Sequence, residues 1–343
     1  MLAVAAVFAS GVGGVFVGRE LASQGGDTPV SQVPTQSTPG GNTAPVAEIT
    51  SEPVAAVAAS LSPAVVQLET ATGLGSGFVY DETGLILTAA HVVQGSRTVT
   101  VRFADGSSTD GEVLGTDFNT DVAVVQVQGR DDLTVAPLAL GLDLQVGQTA
   151  VAIGSPFGLD QTVTAGIVSA VGRATQTPGA NGVPRAIPAI QTDAPINSGN
   201  SGGALADSRG RVIGINDSII TADASSGNVG VGFAIPIDIA KAVADRIVAG
   251  ESTISGYLGV SSSDMNSSSP GAELVEVESG SPAADAGLRV GDVVVAFDGM
   301  QVSSSIDLVA AVTPREPGEV VTLTIERKGV SDQVEVTLGR STR

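Results

Sequence analysis

The chain has no cysteine, no tryptophan, a single histidine and only 3% aromatic residues. Each scarcity excludes something. Without Cys there is no thiol nucleophile and no disulfide, although an oxidising compartment is neither demanded nor excluded. An H-E-x-x-H zinc site needs two histidines and is ruled out. Any catalytic site that uses imidazole as its base must use His91. Few aromatics leave Val, Ile, Leu and Ala to build the core. Positive charge is also short, with 16 Lys and Arg against 36 Asp and Glu, a net −20 over 343 residues. Phosphate binding needs Lys and Arg, so neither nucleic acid nor an anionic membrane surface is expected as a partner. The acidity is expected to serve solubility.

His91 lies in Thr88-Ala89-Ala90-His91-Val92-Val93, after an apolar run from Gly84 that reads as a strand ending at a core edge. Thr120-Asp121 opens Val122 to Val127, a second buried strand. Further on comes Gly199-Asn200-Ser201-Gly202-Gly203. A serine nucleophile needs a base to take its proton and an acid to orient that base. The loose G-x-S-x-G pattern also marks α/β-hydrolases, but their order of Ser, acid, His fails because no histidine follows Ser201. The order Asp, His, Ser would draw on Asp27 or Asp81 and would need a parallel α/β fold, whereas this stretch reads as short strands and turns. A Ser-Lys dyad has only Lys241 and Lys328, neither near a suitable serine motif. The order His, Asp, Ser fits His91, Asp121 and Ser201, spaced by 30 and 80 residues. Asp117 competes with Asp121, which is preferred because a buried strand begins directly after it. Asp193 is expected to be structural. The glycines flanking Ser201 permit a tight turn that points backbone N–H groups at a developing oxyanion. The expected donors are the amides of Gly199 and Ser201.

These residues stand among others in a recognisable series. It comprises Gly73 to Phe78 (GLGSGF), TAAHVV, Thr120-Asp121, Gly154 to Gly158 (GSPFG), Val163 to Ser169 (VTAGIVS), Gln191 to Ala194 leading into Gly199 to Gly203, and Gly230 to Pro236 (GVGFAIP). Together they resemble the HtrA (Deg) family of trypsin-like serine proteases over about residues 53 to 340. Ser198 and Ala204 depart from the family by standing where it usually has proline. The resemblance implies His91 as base, Asp121 as its orienter and Ser201 as nucleophile, with no metal or cofactor. It implies that Ser218, Ile219 and Ile220, with the loop down to Gly230, shape the specificity pocket. The apolar Ile219 and Ile220 then point to small or medium aliphatic side chains before the cut. It further implies unfolded or misfolded polypeptides as substrates, and a homotrimer with Pro53 to Val66 near the contact.

The expected fold is mainly β: a chymotrypsin-like double β-barrel protease domain over 53–250 followed by a PDZ domain over 255–340. Alternating Val, Ile, Leu and Thr with Gly-rich turns dominate from 64 to 235. Asp238 to Ala249 reads as a closing helix, with Ile239, Val243 and Ile247 on one face and Gly250 to end it. From Ser255 a new unit begins. Ser281-Pro282 to Gly287 reads as a short capped helix, Ser305 to Val312 as a second helix, and Val320 to Ile325 and Gln333 to Leu338 as strands. This unit resembles an HtrA-type PDZ domain, in which a peptide adds as a strand and backbone amides hold its C-terminal carboxylate. The match places that loop at Tyr257, Leu258, Gly259 and Val260. Sheet-edge packing is the alternative for the segment.

Residues 1–20 form a transmembrane- or signal-like segment, and 21–52 a disordered linker rich in Gly, Ser, Thr, Gln and Pro. The 17 uncharged residues from 2 to 18 sit at the short end for a membrane span. A signal peptide wants Lys or Arg before it and a small-x-small cleavage site; an anchor is therefore favoured over cleavage. The layout is that of a membrane-anchored enzyme whose catalytic domain lies outside the cytoplasm, in the cell envelope or periplasm. Two other functions remain open: a PDZ-guided chaperone or scaffold with latent proteolysis, and an esterase using the same triad.

Overall fold

A computed structural model describes residues 52–340 apart from 72, 156–160, 179–183, 198, 220–229, 252 and 265–269. The expected N-terminal segment at 1–20 and linker at 21–52 lie outside the described residues, except Glu52. Among the described residues no helix is long and apolar enough to cross a membrane.

Two closed six-stranded barrels follow one another. The first has the order β1-β2-β3-β6-β5-β4 and the second β10-β11-β12-β9-β8-β7. In the first, β1 is Val65–Glu69, β2 Leu74–Val79, β3 Leu85–Ala89, β4 Thr98–Arg102, β5 Ser108–Asp117 and β6 Val122–Val127. In the second, β7 is Thr149–Gly154, β8 Thr162–Pro178, β9 Pro184–Thr192, β10 Ala204–Ala206, β11 Val212–Ile219 and β12 Gly232–Pro236. Each barrel buries its own aliphatic core. Val66, Leu68, Ile86, Val101 and Val125 fill the first, and Ala152, Ile190, Leu205 and Ile213 fill the second. A third cluster spans the seam, joining Phe78, Leu87 and Val124 to Val151, Ile153 and Ile235. Without this shared core the two ends of the candidate site would be independent bodies.

Two helices close the seam. Helix α1, Pro53–Leu61, starts on a proline that needs no N–H and buries Val57 and Leu61, one turn apart. Helix α2, Ile237–Val248, begins one residue before the expected start and buries Ile237, Ala240, Val243, Ala244 and Ile247. Gly250 ends it with φ +69, a conformation glycine adopts without strain. Arg246, also buried on α2, reaches Glu316 of the C-terminal unit at 2.9 Å.

That C-terminal unit is a six-stranded antiparallel sheet with its own core of Leu274, Phe297, Val321, Leu323 and Val336. β14, Val260–Asp264, forms one edge; β13, Gly256–Tyr257, pairs separately with β20, Gly339–Arg340. Helix α3, Pro282–Asp285, is capped by Ser281, whose hydroxyl accepts from the Ala284 amide. Helix α4, Ser305–Val312, is capped by Ser304. α4 lies beside β14 and against the β8–β9 hairpin of the second barrel.

The buried Asp292 accepts from Arg327 Nε at 2.6 Å and Nη2 at 2.7 Å. Burial alone would raise its pKa. The Arg327 bonds, with the Arg289 amide, outweigh burial and hold the carboxyl below its ordinary value. A depressed folded pKa adds stability above the unfolded value of about 4 and loses it as pH falls through the folded value. Asp292→Asn should therefore weaken the C-terminal unit at pH 7 and flatten its loss of stability toward pH 2. Urea titrations at the two pH values test this, and an unchanged pH dependence would contradict it.

Candidate active site

The pairing of β3 with β6 sets Ala89 opposite Val122. His91, just past the end of β3, thereby meets Asp121, just before β6. Asp121 stands at φ 58, a left-handed conformation uncommon outside glycine but tolerated by Asp. Three donors lock it there. Its carbonyl accepts from Ala90 N at 2.9 Å, its Oδ1 from His91 N at 2.9 Å, and its Oδ2 lies 2.7 Å from His91 Nδ1. The carboxylate is fully buried, while the imidazole is 40% exposed. An ionised Asp121 fixes the proton on Nδ1 and leaves Nε2 as the basic nitrogen. The competing Asp117 has a different task. Its carboxyl accepts from Asn119 N at 2.9 Å and Thr120 Oγ1 at 2.8 Å, building the turn that presents Asp121. Burial pushes the Asp117 carboxyl up; the Thr120, Asn119 and Arg246 contacts pull the other way.

Ser201 comes from the other barrel, on the turn between β9 and β10. Gly199 and Gly202 take φ +98 and +84, as the turn requires. The amides of Asn200, Gly202 and Gly203 donate to Asn197, Asn216 and Asn200 carbonyls. Gly199 and Ser201, whose amides are the expected oxyanion donors, flank Asn200 on this turn. Asp193, which precedes the turn, accepts from Ile167 N at 2.7 Å.

Ser76 ties this turn to the first barrel, a job to which its place in GLGSGF is the one pointer in the sequence. Its amide donates to Ser201 O at 2.9 Å, and its hydroxyl donates to Gly199 O at 2.6 Å while accepting from Ser155 N at 2.8 Å. Thr88 Oγ1 donates to Ser76 O at 2.6 Å. Ser76 thus links β2, β3, the residue following β7 and the nucleophile turn.

A second residue that the sequence did not flag is Asp217 on β11. Its carbonyl accepts the Ser201 hydroxyl at 2.8 Å, and its Oδ1 lies 3.9 Å from His91 Nδ1. A charged residue within the strand Val212–Ile219, just after the apolar stretch Val212 to Ile215, was the available signal. A hydroxyl has one proton, so in this arrangement Ser201 does not donate it to His91. His91, Asp121 and Asp217 place ligand-type atoms within 4.8 Å of one another. The 2.7 Å Nδ1–Oδ2 distance is that of a hydrogen bond.

Of the expected pocket residues, Ser218 and Ile219 continue β11, and Ile220 lies outside the described residues. The expected carboxylate loop leads into the edge strand β14. Leu258 is buried with its carbonyl accepting from Ala283 N at 3.0 Å, and Gly259, at φ +80, accepts from Glu278 N at 2.9 Å. A Cβ on Gly259 would stand 2.2 Å from Ser281 Cβ. Tyr257 Oη donates to Glu278.

Two antiparallel barrels with a histidine and a buried aspartate on one and a serine turn on the other define a serine peptidase of the trypsin-like kind. Comparison agrees: a trypsin-like peptidase domain model matches residues 75–215 and a PDZ domain model residues 256–338. The chain is 41% identical over 360 residues to serine protease PepD of Mycobacterium tuberculosis, covering 98% of this chain and 76% of that protein. It is 42% identical to a probable periplasmic serine endoprotease DegP-like of Pseudomonas fluorescens, covering 78% of this chain and 56% of the relative. The solved structure of the HtrA-type protease AlgW with tripeptide superposes with TM-score 0.67 at 33% identity, covering 84% of this chain and 98% of that one. The chain belongs to the HtrA family of serine endopeptidases that carry a PDZ domain.

Gly202 has no room for a side chain. A Cβ there would stand 2.2 Å from Ser76 O and 2.3 Å from Thr88 Oγ1, in backbone that disfavours any side chain. Displacements of about 1 Å can cost on the order of 10²-fold in rate. Gly202→Ala should lose about that much kcat/KM on a peptide substrate while keeping wild-type circular dichroism. Wild-type kinetics would show that the turn is not held as described.

Proposed function

We propose that Ser201 attacks the scissile carbonyl, that His91 takes its proton and passes it to the leaving amine, and that Asp121 holds the imidazole tautomer. The amides of Gly199 and Ser201 bind the oxyanion. The observation that carries this reading is the 2.7 Å bond from His91 Nδ1 to a fully buried Asp121, with the Ser201 hydroxyl held on the carbonyl of Asp217, whose carboxylate lies 3.9 Å from the same ring nitrogen. Ser218, Ile219 and Ile220 border the specificity pocket. The substrates are exposed segments of unfolded or misfolded proteins in quality control, and the setting lies outside the cytoplasm, which the periplasmic name of the pseudomonad relative supports.

The domain division follows the same reading: protease over 53–250, PDZ over 255–340, a membrane anchor at 1–20 and a tether at 21–52. The Tyr257–Val260 loop and the edge of β14 receive C-terminal peptides by strand addition. AlgW has been solved with a tripeptide and with a decapeptide, which supports a peptide-binding role. A homotrimer forms through the protease domains. Within Pro53 to Val66, Val57 and Leu61 are spent on the chain's own core, which leaves the exposed Ala56, Ala59 and Ser60 for a neighbour.

A specific observation favours a second reading, of a chain that rests latent and acts as a PDZ-guided binder until activated. The Ser201 hydroxyl donates to the Asp217 carbonyl, and this bond must break before His91 can receive that proton.

Residues 50–343 should digest β-casein, and Ser201→Ala should lose about 10⁴-fold or more of that activity while remaining folded. Cleavage retained in Ser201→Ala would overturn the nucleophile assignment. Hydrolysis of a small ester with no cleavage of unfolded protein would favour an esterase. Deleting residues 256–343 should abolish activation by added C-terminal peptides; activation that survives would remove the PDZ unit as the sensor.

A further inference from the structure

His91 faces two buried carboxylates, and the proposed mechanism uses only one. Asp121 is fully buried at 2.7 Å from Nδ1, and Asp217, with its side chain 2% exposed, places Oδ1 at 3.9 Å from the same nitrogen. The second distance is too long for a hydrogen bond but short enough for a charge interaction between a buried carboxylate and a part-exposed ring. Among the described residues, the charged groups placed beside the imidazole are Asp121 from the turn before β6 and Asp217 from β11, whose carbonyl holds the Ser201 hydroxyl. Asp117, at the end of β5, turns to Thr120 and Asn119 with Arg246 of α2 beyond it.

Two carboxylates at such range cannot both stay ionised beside a neutral imidazole without large repulsion, so the cluster takes up a proton. Three groups compete for it. Imidazole is the strongest base, with an ordinary pKa of about 6.5 against about 3.9 for Asp. Its ring is also 40% exposed, so its cation keeps part of its hydration. Both points favour His91 as the group that holds the proton.

We propose that Asp217 is a positioning residue that acts through His91, holding the imidazole protonated at neutral pH and so keeping the site at rest. The inference rests on the triad reading above. An imidazolium cannot accept the Ser201 proton, and the Ser201 hydroxyl is bonded instead to the carbonyl of the same Asp217. Asp217 thus touches both members of the pair that must react. The sign follows from charge. A nearby anion favours the protonated ring, raises the pH at which His91 becomes a base, and moves the acid limb of kcat/KM to higher pH. The same anion stabilises the imidazolium formed when Ser201 attacks. Removing the charge should shift the limb toward acid and lower the plateau at high pH.

The chain offers a clean test, because His91 is its sole histidine. Imidazole NMR of the full chain follows that ring alone, whether or not any substrate is cleaved. In the wild type His91 should titrate more than one pH unit above about 6.5, and in Asp217→Asn at least about one pH unit lower than in the wild type. In parallel, activity at pH 6 relative to the plateau should rise about tenfold in Asp217→Asn, which loss of structure alone would not produce. Asp217→Ser serves if the Asn variant does not fold. A His91 titration unmoved by these substitutions would overturn the proposal, as would a wild-type midpoint at or below about 6.5, which needs no variant. Either result would leave the triad reading standing, since that is decided separately by Ser201→Ala.

Discussion

The site depends on Asp121 standing in a left-handed conformation at the mouth of β6. From there one residue receives the Ala90 amide on its carbonyl and the His91 amide and ring on its carboxylate. The register of β3 against β6 brings the two chain segments together, and the Asp117 turn supplies the bend. Burying a carboxylate is costly unless its charge is met by donors; two of these three donors meet the Asp121 carboxylate and also orient the base. Local strain, burial and catalytic geometry are thus one arrangement rather than three.

The second barrel must hold Ser201 at a fixed distance from that arrangement. Aliphatic packing across the seam sets the approach, with Phe78 and Leu87 against Val151 and Ile153. Ser76 then sets the detail, since its backbone and hydroxyl reach the carbonyls of Ser201 and Gly199. Packing is tolerant of small shifts, whereas hydrogen bonds of 2.6 to 2.9 Å are not. The division of labour explains why a Cβ at Gly202, which would meet both Ser76 and Thr88, cannot be absorbed by the surroundings.

Much of this was legible in the sequence. Alternating aliphatic strands foretold the barrels, and the lone histidine left one triad order standing. Asp121 was distinguished from Asp117 by the strand that follows it, and the structure sets Asp121, not Asp117, against the His91 ring. The helix expected over Asp238 to Ala249 lies at Ile237–Val248, and the cap at Ser281 is made as its sequence implied. What escaped were Ser76 and Asp217. Their roles come from contacts over 123 residues in one case and from a strand of the opposite barrel in the other. No local pattern encodes such a meeting. Ile220 and the expected anchor and tether fall outside the described residues, so their roles rest on sequence alone.

The central claim is that Ser201 is made nucleophilic by His91. A fluorophosphonate reacts only with a serine whose proton is being removed, and mass spectrometry of the digested adduct locates the bond. The account predicts one phosphonylated residue, Ser201, at a pH where His91 is neutral, and loss of that adduct in His91→Ala. Modification at another serine, or equal labelling of Ser201 in His91→Ala, would contradict it.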